Sequence, residues 1–144
     1  MASFILKQIS RKLNTIDNFF FSNMINRMIK KFVGLWLPVI CWAGLIFFLS
    51  SLPNLRTNFE ALWDTILRKA AHLTEYGILF LLLSRPMNKS LKWAVILCFI
   101  YALSDEFHQS FIPGREMALA DICFDSAGVL TGYLANKKRS VAKY

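Results

Sequence analysis

Three stretches of the chain carry residues whose types and spacing can do chemistry. Lys69, His72, Glu75 and Tyr76 follow at steps of three, three and one, so a helix presents them on one face. Tyr101, Asp105 and His108 step by four and three, with Glu106 and Gln109 alongside. Asp121, Asp125, Gly128 and Gly132 step by four, three and four. Carboxylates beside imidazoles suit proton transfer, which makes Asp105, Glu106, His108, His72 and Glu75 the candidate catalytic residues. His108 acting as a base on water is one such reaction. Lys69, Tyr76, Gln109, Arg115, Asp121 and Asp125 are the candidate substrate-binding residues, and the planar fork of Arg115 suits phosphate or carboxylate. No Ser or Cys stands at an activating spacing, and Ser104 and Ser126 read as helix-packing residues. His72-x-x-Glu75 and Asp105-x-x-His108 resemble the spacing of carboxylate-bridged metal sites in bundles. The order in the first pair is reversed and the chain has no third His, so no metal-ligand set is predicted and any cofactor is left open.

Four apolar spans must position these groups. The clearest is 32–52, 21 residues without a charge, which covers about 31 Å as a helix and so matches a bilayer core. Pro38 lies inside it, as membrane helices tolerate. It starts too late for an ordinary signal peptide and is expected to be retained. The other spans are 66–84, 91–109 and 118–135. Each mixes an apolar half with a polar half, and hydropathy alone rates 66–84 as marginal. Turn signals at Pro53-Asn54, Arg85-Pro86 and Pro113-Gly114 separate them. Ahead of them, 1–31 repeats apolar residues at Ile5, Ile9, Leu13, Ile16, Phe20, Met24 and Met28, with Lys7, Arg11, Arg27 and Lys30 on other faces. That pattern reads as a basic amphipathic helix on an anionic membrane surface, although a helix packed on its own protein shows it too. The tail, 136–144, is basic.

Composition agrees with a membrane protein. The 144 residues are 56% hydrophobic and 18% charged, against about 45–50% and about 25% in soluble domains. A net charge of +8 taken alone suggests nucleic acid, but too little polar surface remains to cover a core, and no nucleic-acid partner is expected. Cys41, Cys98 and Cys123 all lie in apolar runs and form no disulfide or zinc pattern.

The basic residues give the orientation. Thirteen of the 17 fall in 1–31, in the loop between the second and third spans, and in the tail. Four spans bring all three regions to one side, which the positive-inside rule assigns to the cytoplasm. The other side holds eight of the nine acids. With that topology the polar halves of spans two, three and four converge at one depth near the outer face. A charge at the bilayer centre costs about 2.5–3.5 kcal/mol, so these groups must pair or line a wet cavity. Glu75, Asp105, Glu106, Asp121 and Asp125 outnumber Lys69 and Arg115, and protons, a cation or a cationic substrate group must balance the excess.

At this point the sequence resembles the VanZ-like family of small bacterial membrane proteins. The resemblance rests on Lys69-Ala-Ala-His72-Leu-Thr-Glu75-Tyr76-Gly-Ile-Leu79, on Ser104-Asp105-Glu106-Phe107-His108-Gln109, on Phe111-Ile-Pro113-Gly114-Arg115, and on Asp121 followed by Asp125 and Gly128. Span one, ending Ser50-Ser51-Leu-Pro53, looks like the family's first helix. The likeness covers about 32–135, and the family often has Asn where Asp125 stands. It implies a protein of the cell envelope, since the founding member is associated with resistance to the glycopeptide teicoplanin.

The expected architecture is all-α: a four-helix transmembrane bundle (32–135), an N-terminal amphipathic interfacial helix (1–31) and a basic cytoplasmic tail (136–144). The expected location is the bacterial cytoplasmic membrane, multi-pass, with both termini cytoplasmic. Membrane lipids and a lipid-linked or peptidoglycan-related envelope ligand are the expected partners. Gly128-x-x-x-Gly132 offers close helix packing, within the chain or in a homo-oligomer. The competing reading is a non-enzymatic scaffold or assembly factor whose charged residues are structural ion pairs.

Overall fold

The computed structural model describes residues 2–52, 61–87, 90–113 and 119–141, with the backbone alone for 2–18, 20, 61, 62, 64, 119 and 140. These residues form four α-helices: α1 Ala2–Ser50, α2 Ala61–Leu83, α3 Leu91–Gln109 and α4 Leu119–Val141. Among the described residues there is no strand. The chain divides into two compact units, Met1–Leu35 and Trp36–Tyr144. In the first unit, Phe19, Phe21, Met24, Met28 and Ile29 are exposed.

The helix limits differ by more than two residues from those read in the sequence in three places, each with a local cause. The backbone stays helical from Ala2 to Ser50, so the basic segment and the first apolar span are not separated by a break. No Gly or Pro lies between Met1 and Phe32 to impose one. Helix α2 starts at Ala61 rather than at 66, on the good helix formers Ala61 and Leu62. Helix α4 runs past 135 into the basic tail, where Lys138 and Arg139 sit in its last turn and favour the negative end of the helix dipole. Helix α3 has the limits read from the sequence.

The second unit is built around one apolar core. Val39 and Ile46 of α1, Tyr76, Leu79, Phe80 and Leu83 of α2, Ala94, Cys98 and Ala102 of α3, and Val129 of α4 are its buried residues. Their spacing is helical, so each helix turns one stripe inward. The closest backbone approach described is between α2 and α4. A Cβ placed on Gly128 would strike the Leu73 carbonyl, and one on Gly132 would come to 2.7 Å from the Gly77 carbonyl oxygen. Only glycine permits that approach, so the Gly128/Gly132 face is occupied by α2 of the same chain. Helix α1 instead meets its neighbours through long side chains: Trp42 Nε1 donates to the Glu75 carbonyl at 3.0 Å, and the Tyr101 hydroxyl donates to the Ala43 carbonyl at 2.6 Å.

Among the described residues, only one helical stretch, Phe21–Ser50, is long and apolar enough to cross a membrane, and little of it is buried within the chain. Helix α3 nonetheless exposes Trp93, Val95, Leu97, Phe99, Ile100, Leu103 and Phe107.

A polar cluster at one end of the helices

Each inward stripe is apolar over one half and polar over the other. On α3 the buried residues run Ala94, Cys98, Ala102, and then Asp105, Glu106 and Gln109. On α1 the stripe ends at Ser50, and on α2 it begins at His72. The C-terminal ends of α1 and α3 therefore meet the N-terminal halves of α2 and α4, and the buried polar groups gather there.

One network joins α1 to α3. The Asp105 carboxylate, 3% exposed, sits just before the last turn of α3. Two donors hold it: Ser50 Oγ and Gln109 Nε2, each 2.9 Å from Asp105 Oδ2. Gln109 also reaches Ser50 Oγ at 3.3 Å, which closes a three-membered ring of hydrogen bonds. Asp105 Oδ1 is buried without a hydrogen-bond partner among the described residues. Just outside this ring, His108 Nε2 lies 3.0 Å from Ser51 Oγ, and its ring stacks on Phe47 at a centroid distance of 4.3 Å. The Ser51 hydroxyl has one proton and donates it to the Phe47 carbonyl at 2.7 Å. His108 is thus the donor to Ser51, the reverse of what a Ser nucleophile and His base require.

A second network joins α2 to α4. Lys69 Nζ is 3.4 Å from Asp121 Oδ1 and lies 4.3 Å from the centre of the Phe124 ring. One turn further in, His72 Nδ1 and Asp125 Oδ1 are 2.9 Å apart, with both side chains buried. Asp121 is in the first turn of α4, where a carboxylate favours the positive end of the helix. Glu106, fully buried on α3, brings a carboxylate oxygen within 4.8 Å of ligand atoms of His72 and Asp125, so the two networks adjoin. Tyr76 is also fully buried, and its hydroxyl has no hydrogen-bond partner among the described residues.

The model of the VanZ/LLP1 family matches residues 18–138. The chain belongs to the VanZ/LLP1 family. No curated protein matches it, and no solved structure does. Membership and the Phe21–Ser50 stretch both point to a membrane protein.

Of the residues singled out in the sequence of this VanZ-like chain, Lys69, His72, Asp105, Glu106, Gln109, Asp121 and Asp125 lie in the two networks or at their junction. His108 sits at their edge and Glu75 is half-buried, its carbonyl bonded to Trp42. Arg115 lies outside the described residues. Ser50, Ser51 and Trp42 have no place in the sequence-derived site. A signal for the two serines was available, since the end of the first span reaches the same depth as Asp105 in a four-span topology.

Proposed function

We propose that this VanZ-like protein spans the bacterial cytoplasmic membrane four times with both termini in the cytoplasm, and that its polar cluster faces outward. There it binds or acts on the polar part of a cell-envelope component, lipid-linked or peptidoglycan-related. One observation carries the reading: ionisable side chains far apart in sequence are gathered and buried at one end of otherwise apolar helices. Intramembrane ionisable residues are costly and by default functional. The charge partition and the exposed apolar side chains of α3 support the topology. Family membership fits a role in the envelope or in glycopeptide resistance.

In this reading Lys69 and Arg115 supply positive charge for a phosphate or carboxylate of the ligand. Asp105, Glu106, His72, Glu75 and His108 supply proton acceptors and donors. Tyr76, Gln109, Asp121 and Asp125 orient them. Segment 1–31 is the membrane-surface arm of the protein, with 32–135 its membrane domain.

The test is complementation. Cells lacking the protein are examined for teicoplanin susceptibility and envelope-lipid profile, then supplied with wild type or Asp105→Asn at equal membrane levels. Wild type is expected to restore the phenotype and the variant to leave it at the deletion level; full rescue by Asp105→Asn sinks the proposal. A second reading, a scaffold held by ion pairs, is favoured by the mutual pairing of Lys69 with Asp121 and His72 with Asp125. It predicts that Lys69→Met destabilises the fold and that adding Asp121→Leu restores most of the loss, with phenotype following stability throughout.

A further inference from the structure

The geometry points to a buried divalent-cation site formed by His72 of α2, Glu106 of α3 and Asp125 of α4. Each of the three offers one ligand atom, and these atoms all lie within 4.8 Å of one another. Ligands on one first-row cation, at about 2.0–2.2 Å each, stand about 3.0–3.8 Å apart in three-ligand geometries. Side-chain shifts of about an ångström therefore close the set. All three side chains are buried, Glu106 and Asp125 fully.

The second observation concerns Asp125. Its Oδ1 is engaged by His72, while Oδ2 is buried with no hydrogen-bond partner among the described residues. A buried carboxylate oxygen of this kind is expensive to leave without a counterpart. Asp125 also borders an apolar cavity of about 80 Å³ between α3 and α4, lined by Cys98, Ala102 and Val129 but by neither His72 nor Glu106. Tyr76, one turn along α2 from His72, adds another buried oxygen that lacks a hydrogen-bond partner among the described residues.

The charge arithmetic favours a divalent ion. A neutral imidazole and two carboxylates carry −2, and one divalent cation makes the unit neutral, the state that a low-dielectric interior costs least to hold. One nitrogen and two carboxylate oxygens suit Zn²⁺, Mn²⁺ or Fe²⁺ rather than a soft thiolate metal. Three protein ligands leave at least one coordination position for an oxygen of water or of an envelope ligand. The sequence pairs His72-x-x-Glu75 and Asp105-x-x-His108 are not this set. It draws one residue from each of three helices, so no local spacing announces it.

The site deepens the proposed function by giving the polar cluster an ion, but its test needs no envelope ligand. The full chain, purified in detergent and stripped with chelator, is titrated with Mn²⁺ by electron paramagnetic resonance, with Zn²⁺ as competitor. One Mn²⁺ per chain is expected, with coupling to a single imidazole nitrogen. Asp125→Asn and Glu106→Gln are each expected to weaken binding at least tenfold, and Ser104→Ala, on the exposed face of α3, to leave it unchanged. Zn²⁺ or Mn²⁺ is expected to raise the unfolding temperature of wild type but of neither acidic variant. Absence of a bound ion in wild type, absence of the imidazole coupling, or equal binding by the folded variants overturns the site. The imidazole coupling is read on wild type alone, so a variant that fails to fold does not shelter the proposal. Complementation by Asp105→Asn addresses the envelope role separately, and either result can stand without the other.

Discussion

Asp105 depends on two neutral donors, and their removal is the sharpest residue-level test of the α1–α3 network. Ser50 and Gln109 both donate to its Oδ2, and Oδ1 has no hydrogen-bond partner among the described residues. Gln109→Leu removes one donor while leaving the carboxylate buried, and is expected to destabilise the fold by about 1–3 kcal/mol. Thermal unfolding in detergent measures it. Pairing Gln109→Leu with Asp105→Leu is expected to recover part of that loss, because the buried acceptor goes too. The Lys69–Asp121 pair behaves differently. Lys69 keeps 30% of its side chain accessible and the pair is 3.4 Å apart, so a double-mutant cycle there is expected to yield no more than about 1 kcal/mol. A larger coupling would mean that the pair is more enclosed than its exposure indicates.

At the scale of the helix, glycine content separates two kinds of position. Gly128 and Gly132 pack against the α2 backbone, whereas Gly34 and Gly44 have no atom within 4 Å of an added Cβ. Gly128→Ala is expected to push α4 off α2 at a cost of about 1–3 kcal/mol, with loss of the His72–Asp125 contact one turn away. Gly44→Ala is expected to be neutral or stabilising within about 1 kcal/mol, since alanine is the better helix former. Unfolding curves of the two variants give the comparison. The same contrast shows what was legible beforehand. The Gly128-x-x-x-Gly132 spacing announces close packing, but not which helix fills the groove. Periodicity placed Asp105, Glu106 and Gln109 on the polar half of α3, and topology placed them level with His72 and Asp125. It did not reveal that Ser50 would hold Asp105 or that Glu106 would turn toward His72. Those depend on rotation of each helix about its axis, which core residues such as Phe80 and Cys98 set by packing. The far end of α4 was missed for another reason: the polar, basic residues past 135 carry no apolar stripe, yet nothing in them stops a helix.

For the molecule as a whole, the basic residues are the topological evidence. Lys137, Lys138 and Arg139 follow the last apolar turns of α4 and are exposed. In the four-span reading a cytoplasm-active reporter fused after Tyr144 is expected to work, and an export-dependent one to stay silent. The opposite pair of results would invert the bundle and turn the polar cluster inward.

The two networks also interleave along the chain. Neither α1 with α2, nor α3 with α4, contains one of them whole. Lys69 waits 52 residues for Asp121, and His72 waits 53 for Asp125. At roughly 5–20 residues per second of synthesis, that is roughly 3–10 s. During that interval the polar half of α2 has been made and its partners on α4 have not. In the four-span reading the marginal hydropathy of α2 thus becomes a matter of timing: its insertion waits on a helix that has yet to leave the ribosome. A chain stopped after Ser110 is expected to hold α1 in the membrane while α2 remains accessible to aqueous thiol probes placed along it.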